Sequence, residues 1–110
     1  MFIVTLRIKV PRGQRNNFLD AARRVVGPTE IQPGCISCRF YQDLNDPDAV
    51  LLIEEWENRK KLDRHLNSDR YRIVLSLVDM SGKPPEYKIS SILTTEGLEA
   101  LKRLREKHFI

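Results

Sequence analysis

No apolar stretch in these 110 residues approaches the length needed to cross a bilayer. The first ten residues, MFIVTLRIKV, alternate and carry Arg7 and Lys9, so they lack the apolar run of a secretory leader. The expectation is a soluble, cytoplasmic protein without a membrane partner. Cysteine is scarce: only Cys35 and Cys38 occur, spaced C-x-x-C. That spacing invites a redox or metal reading. The two lie in an alternating stretch, however, where residues three apart point to opposite faces. No helix N-terminus follows to activate a thiol, and two more zinc ligands are wanting nearby. They are expected to be reduced strand thiols that diverge. The chain also lacks a glycine-rich phosphate loop, a nucleophile–base pair and a cluster of metal ligands. No bound metal is therefore expected.

Charge of one sign is not concentrated either. The formal net charge is +4, but the basic residues fall into three groups: Arg12 to Arg24, Arg59 to Arg64, and Lys102 to Lys107. Acidic residues interleave with all of them. A nucleic-acid reader usually shows one basic face with aromatics to stack on, so no nucleic-acid partner is expected. What is present is 41% hydrophobic residues, enough for one domain with a real core.

Residues 2–10 alternate cleanly, with Phe2, Val4, Leu6, Ile8 and Val10 on one face, and predict a first strand. Apolar residues from Phe18 to Val26 recur at helical spacing, and Gly27-Pro28 should stop or kink that helix. Residues 35–42 alternate again. DLNDPD at 43–48 is a turn-rich loop, and 49–57 is a third strand with Val50, Leu52, Glu54 and Trp56 on one face. Asn58 can cap a short helix through Leu66. Ser68-Asp69 should cap the next, with Tyr71, Val74, Leu75 and Val78 as its stripe. Glu86 to Leu93 reads as a fourth strand. Thr95 should cap a final amphipathic helix carrying Leu98, Leu101 and Leu104.

The order is strand, helix, strand, strand, helices, strand, then a helix. This is the split βαβ arrangement: an α+β fold with a four-stranded antiparallel sheet and helices on one face. Residues 1–93 form the core domain and 94–110 a helical extension of it. The other sheet face should carry Ile3, Leu51, Ile53, Tyr87 and Ile89. An exposed apolar patch of that size is most simply covered by a second copy in a twofold homodimer.

The pattern E-x-W-x5-L-x2-H-L, here Glu54, Trp56, Leu62, His65 and Leu66, follows P-G-C at 33–35. It precedes S-D-x-Y at 68–71 and G-x-P-P at 82–85. This resembles the antibiotic biosynthesis monooxygenase domain family over roughly residues 1–93. The resemblance implies a ferredoxin-like fold, a dimeric α/β barrel, and a pocket between sheet and helices. Members oxidise aromatic polyketides or quinols with O₂ and no cofactor, degrade haem, or process small metabolites. The polyketide-oxidising members carry an Asn where Leu52 stands and a Tyr where Leu62 stands. The haem-degrading ones carry an Asn, a Trp and an iron-ligating His where Leu6, His65 and Leu75 stand. The His65 version is similar to quinol-oxidising and uncharacterised members.

Three side chains stand out for chemistry. Trp56 is a core aromatic or the wall of an aromatic-ligand pocket. His65 interrupts an apolar helix stripe, either as a core histidine or as a general base able to take a proton from a phenol. Glu54 is a carboxylate on the inward side of a strand, with no partner evident from alternation. Tyr71 can offer a hydroxyl at the pocket edge, and Leu6 and Leu52 line the same face. The expectation is a cofactor-independent monooxygenase for a small aromatic or quinol-like metabolite, with His65 catalytic and Trp56, Tyr71, Glu54, Leu6 and Leu52 binding substrate. The alternatives are a non-catalytic dimeric binding protein, and an isomerase or lyase of the same fold.

Overall fold

A computed structural model describes residues 1–109 of the chain. Alternation builds β1 (Phe2–Lys9), β2 (Cys35–Gln42) and β3 (Ala49–Trp56), and β4 (Glu86–Ser91) completes one antiparallel sheet. Its order is β2-β3-β1-β4. Among the described residues four helices accompany it: α1 (Arg15–Glu30), α2 (Arg59–Leu66), α3 (Tyr71–Asp79) and α4 (Leu98–Phe109). A single 3-10 turn at Arg12–Gln14 leads into α1. The architecture is the expected α+β, ferredoxin-like one.

The core lies between the sheet and α1, α2 and α3. Val4, Leu6, Ile8, Leu52 and Trp56 from the strands meet Phe18, Ala21, Val25, Leu62, Val74 and Leu77 from the helices, all buried. Asn58 caps α2 as expected, its side chain accepting from the Lys61 N–H at 2.9 Å. The turn into β2 uses Gly34 at φ 88°, a conformation favouring glycine. A Cβ there would run into the Lys61 side chain. The Gly34 carbonyl accepts from Glu57 N–H at 2.9 Å, which ties this turn to the end of β3.

Several expectations need correction. α1 does not stop at Gly27-Pro28 but runs through Pro28 to Glu30; Glu30 then pairs with Arg39 of β2. Ser68 does not cap α3, which starts at Tyr71 without a side-chain cap. Its hydroxyl instead donates to the His65 carbonyl at 2.7 Å and closes the end of α2. α4 begins at Leu98, so Thr95 lies too far upstream to cap it. β4 ends at Ser91 rather than Leu93.

The largest correction concerns the open sheet face. In register, Ile89 lies opposite Val4 and Tyr87 opposite Leu6. Both therefore share the helix-covered face, and Ile89 packs against the Val4, Trp56 and Leu62 cluster. From β4 the open face receives Glu86, Lys88 and Ser90 instead. Its apolar part is Ile3, Leu51, Ile53 and Tyr41, beside Thr5 and the Arg7 and Lys9 pairs to Asp43 and Asp46. It is narrower and more polar than the alternation implied.

Candidate active site

Trp56 ends β3 on the covered face, directly opposite Phe2 of β1 and Cys35 of β2. α2 follows two residues later and turns its apolar stripe back over this corner. That places Leu62 and His65 above Trp56, all three buried. The imidazole stacks on the indole, with ring centroids 4.6 Å apart and an interplanar angle of 26°. Tyr71, at the start of α3, meets the imidazole edge-on at 5.2 Å.

Glu54, two residues before Trp56, completes the cluster and is fully buried. Its Oε1 lies 2.8 Å from His65 Nε2 and accepts from Trp56 Nε1–H at 3.2 Å. The imidazole contact is close in distance but outside hydrogen-bond angles, and Glu54 Oε2 has no hydrogen-bond partner among the described residues. A carboxyl group taken wholly out of water with one oxygen unmatched is costly. The partner that alternation left unnamed is thus His65, reached from a different element.

One side chain that the sequence reading placed elsewhere belongs here. The Tyr71 and Tyr87 hydroxyls are 2.8 Å apart, because the register puts Tyr87 opposite Leu6 on the covered face. Burial raises the Tyr71 pKa above the ordinary tyrosine range, helped by the Tyr87 hydroxyl. Burial also raises that of Tyr87. Both remain neutral phenols at neutral pH. Tyr87 is 44% exposed, so the pair leads from solvent at the β4 edge to the wall of the buried imidazole.

The cysteines also differ from expectation. The register of β2 against β3 shifts between Cys35 and Ser37, a bulge that inserts Ile36 as an extra residue. Cys35 then faces Trp56 and Cys38 faces Glu54, so both thiols lie on the covered face and do not diverge. Burial pushes the Cys35 pKa up to about 11 and that of Cys38 to about 12, with the Glu54 charge adding to each. They stay protonated at neutral pH, the opposite of a redox-active thiol. Among the described residues no group of three or more His, Cys, Asp or Glu side chains is arranged to hold a metal.

Leu6 and Leu52 lie opposite one another on β1 and β3 and are 1% exposed each. They pack with Phe18, Cys38, Tyr71 and Leu77 as filled core. Of the sequence-derived residues, the fold joins His65, Glu54, Trp56 and Tyr71 in one contact cluster. Leu6 and Leu52 sit beside it towards α1. Leu75, where haem degraders carry their ligand, is 53% exposed on α3.

This sheet, its helix-covered face and the strand-to-helix corner define a ferredoxin-like α+β domain. The family model for antibiotic biosynthesis monooxygenase matches residues 1–74. The chain belongs to that family. It is 33% identical over 97 residues to the uncharacterized protein sll1783 of Synechocystis, covering 87% of this chain and 66% of that protein. The chain thus spans just under two thirds of that relative's length. A conserved protein from Methanosarcina mazei superposes with a TM-score of 0.76 at 27% identity, over 81% of this chain and 89% of that one. A crystal structure of an antibiotic biosynthesis monooxygenase gives a TM-score of 0.76 at 22% identity, over 86% of this chain and all of that one. At that identity the likeness speaks for the fold. No helix among the described residues is long and apolar enough to cross a membrane.

Proposed function

We propose that this chain is a cofactor-independent monooxygenase acting, as a homodimer, on a small aromatic or quinol-like metabolite. The observation that carries the reading is the buried Glu54–His65 pair stacked on Trp56. A purely structural corner would be served as well by apolar side chains, since a buried polar pair seldom outperforms them in stability. The name of the family, antibiotic biosynthesis monooxygenase, supports the reaction class.

In this reading the close contact of Glu54 with Nε2 and the stacking on Trp56 hold the ring in place, which leaves Nδ1 of His65 to accept a proton from a phenol or an activated C–H. The resulting anion is electron-rich enough to reduce O₂. One oxygen atom enters the product and the other leaves as water; all four electrons come from the substrate, as when a CH₂ beside the phenol becomes C=O and its two hydrogens leave in that water. Trp56 and Tyr71 form the aromatic wall, and Leu6 and Leu52 the apolar floor. Trp56, Glu54 and His65 are between 0 and 4% exposed, so a substrate enters by parting the Tyr71–Tyr87 hydroxyl pair. The open face with Ile3, Leu51 and Ile53 supports the homodimer, since an uncovered apolar sheet face is best buried against a copy.

A second reading is favoured by that same closure: a non-catalytic domain in which the polar cluster only packs. Oxygen uptake against a panel of hydroquinones decides between them. The first reading expects uptake that falls by about a hundredfold in His65→Ala, the usual size of a general-base contribution, with His65→Gln as a variant that keeps the site filled. Trp56→Phe should weaken ligand affinity more than turnover. No uptake by the wild type, or unchanged turnover in folded His65 variants, defeats the oxygenase reading. Product without oxygen uptake points to an isomerase or lyase.

A further inference from the structure

We propose that the hydroxyls of Tyr71 and Tyr87 together receive the oxygen of a phenol, and that Tyr87 selects phenols over aromatic compounds lacking that O–H. The proposal rests on the aromatic-ligand site argued above and adds to it a specificity-determining residue, Tyr87.

The two hydroxyls lie 2.8 Å apart and, among the described residues, bond only to each other. A phenol has one O–H to donate. Whichever of the two donates, the pair spends one proton and keeps a second O–H that meets no protein acceptor. Tyr71 is 7% exposed, and its ring meets the His65 imidazole edge-on. Tyr87 reaches solvent at the β4 edge. The pair therefore stands between solvent and the buried polar atoms of the corner.

A second observation points to the same place. Glu54 Oε2 and His65 Nε2 are both buried without a hydrogen-bond partner. Such atoms are uncommon in folded proteins, and a ligand bearing a polar group gives them one. Burial does most to raise the pKa of both tyrosines, and the Glu54 charge contributes to each rise. The carboxylate is thus within electrostatic reach of both hydroxyls.

The selectivity follows from what opening the pair breaks. Parting the two rings gives up their mutual hydrogen bond. An aromatic ligand without an O–H leaves the buried Tyr71 hydroxyl unmatched, which is costly. A phenolic oxygen set between the two accepts from both and replaces the lost bond. Its own proton remains available to His65. Both tyrosines stay protonated beside that base, so they continue to donate as the ligand oxygen gains charge, and such bonds are the stronger ones. A site built to bond a ligand O–H rejects the analogue lacking it far more than an apolar pocket does.

The test is binding under argon, where no oxidation occurs. Quenching of Trp56, the single tryptophan, reads the affinities of 4-nitrophenol and of 4-nitrotoluene, which carries CH₃ in place of the O–H. The full chain, Tyr87→Phe and Tyr71→Phe are compared. The expected wild-type preference for the phenol is about a hundredfold. It should fall about tenfold in either variant, the weight of one hydrogen bond, while 4-nitrotoluene binding hardly moves. A tyrosine that only packs would shift both affinities together. Tyr87→Phe removes one oxygen atom from a half-exposed side chain, and the wild-type comparison needs no variant. Failure to bind 4-nitrophenol, equal binding of the two compounds, a preference that the variants leave intact, or a parallel loss for both ligands overturns the proposal. Oxygen uptake from hydroquinones is measured separately. Selective binding without uptake sustains the phenol site and defeats the oxygenase reading; uptake with unselective binding defeats the phenol site alone.

Discussion

The two faces of this sheet carry neighbouring residues into opposite physical worlds. Glu54 and Glu55 are adjacent in β3, yet Glu54 is fully buried while Glu55 keeps contact with solvent on the open face. Arg7, on the open face, meets Asp43 at 3.2 Å with both side chains about one-third exposed; Asn45 N–H and then Arg7 hold the Asp43 carboxyl below its usual range. Glu54, on the covered face, meets His65 at 2.8 Å where water cannot screen it. The distances are similar and the consequences are not. A pair at the surface changes stability little, whereas a buried pair makes each partner depend on the other. The covered face is therefore where the proposed chemistry and stability would be coupled, and the open face is where the proposed homodimer would form.

The largest expected effect is on the covered face. Trp56→Ala should destabilise the protein by about 3–5 kcal/mol, read by chemical unfolding followed by circular dichroism. Leu51→Ala on the open face should cost clearly less in the isolated subunit. Equal losses would erase the distinction between the faces.

Next comes the pair itself. His65→Ala leaves the buried Glu54 carboxyl group with only the Trp56 N–H beside it and should cost about 3 kcal/mol. The double variant Glu54→Leu with His65→Leu should recover most of that loss. If the double variant is as unstable as the single one, packing volume rather than charge governs the corner.

On the open face, Ile53→Lys should weaken the homodimer by roughly 2 kcal/mol, about thirtyfold in dissociation constant. Unfolding of the subunit should change far less. Sedimentation or light scattering across a dilution series measures the first quantity. An unaltered dimer would show that this face is not the interface.

The smallest effect within a comfortable pH range belongs to the thiols. Their folded pKa values, about 11 for Cys35 and about 12 for Cys38, exceed the ordinary 9.0. A raised folded pKa favours the folded state while the thiols stay protonated. That stability is complete below about pH 9 and is lost as pH rises through about 11 to 12. Urea unfolding from pH 8 upwards should show a steeper alkaline decline in the wild type than in Cys38→Ala. Parallel curves would mean that neither thiol is held out of water by the covered face.

Much of this was legible in the chain. Strict alternation in 2–10 and 49–57 marked β1 and β3, and Glu54, Trp56 and His65 stood out because each is a polar or aromatic residue on an otherwise aliphatic face or stripe. The Asn58 cap was legible because its side chain bonds only three residues ahead. The errors have a common cause. Alternation divides a strand into two faces without saying which is covered, so Tyr87 and Ile89 were placed on the wrong side. A bulge adds one residue to the count, so Cys35 and Cys38 converge although a regular strand would separate them. Pro28 lies within α1, where the local signal left a stop and a kink both open.

The sequence by itself determined the elements, their order and the identity of the polar residues placed among aliphatic ones, because helix and strand periodicities and caps are local. The tertiary structure decided the pairing. It set Ile89 against Val4, Cys38 against Glu54 and Tyr87 beside Tyr71. It also brought His65 to Glu54, eleven residues away in the chain. Register between strands and the return of α2 over β3 are non-local choices, made by which surfaces exclude water together, and no short window of sequence contains both partners of such a choice.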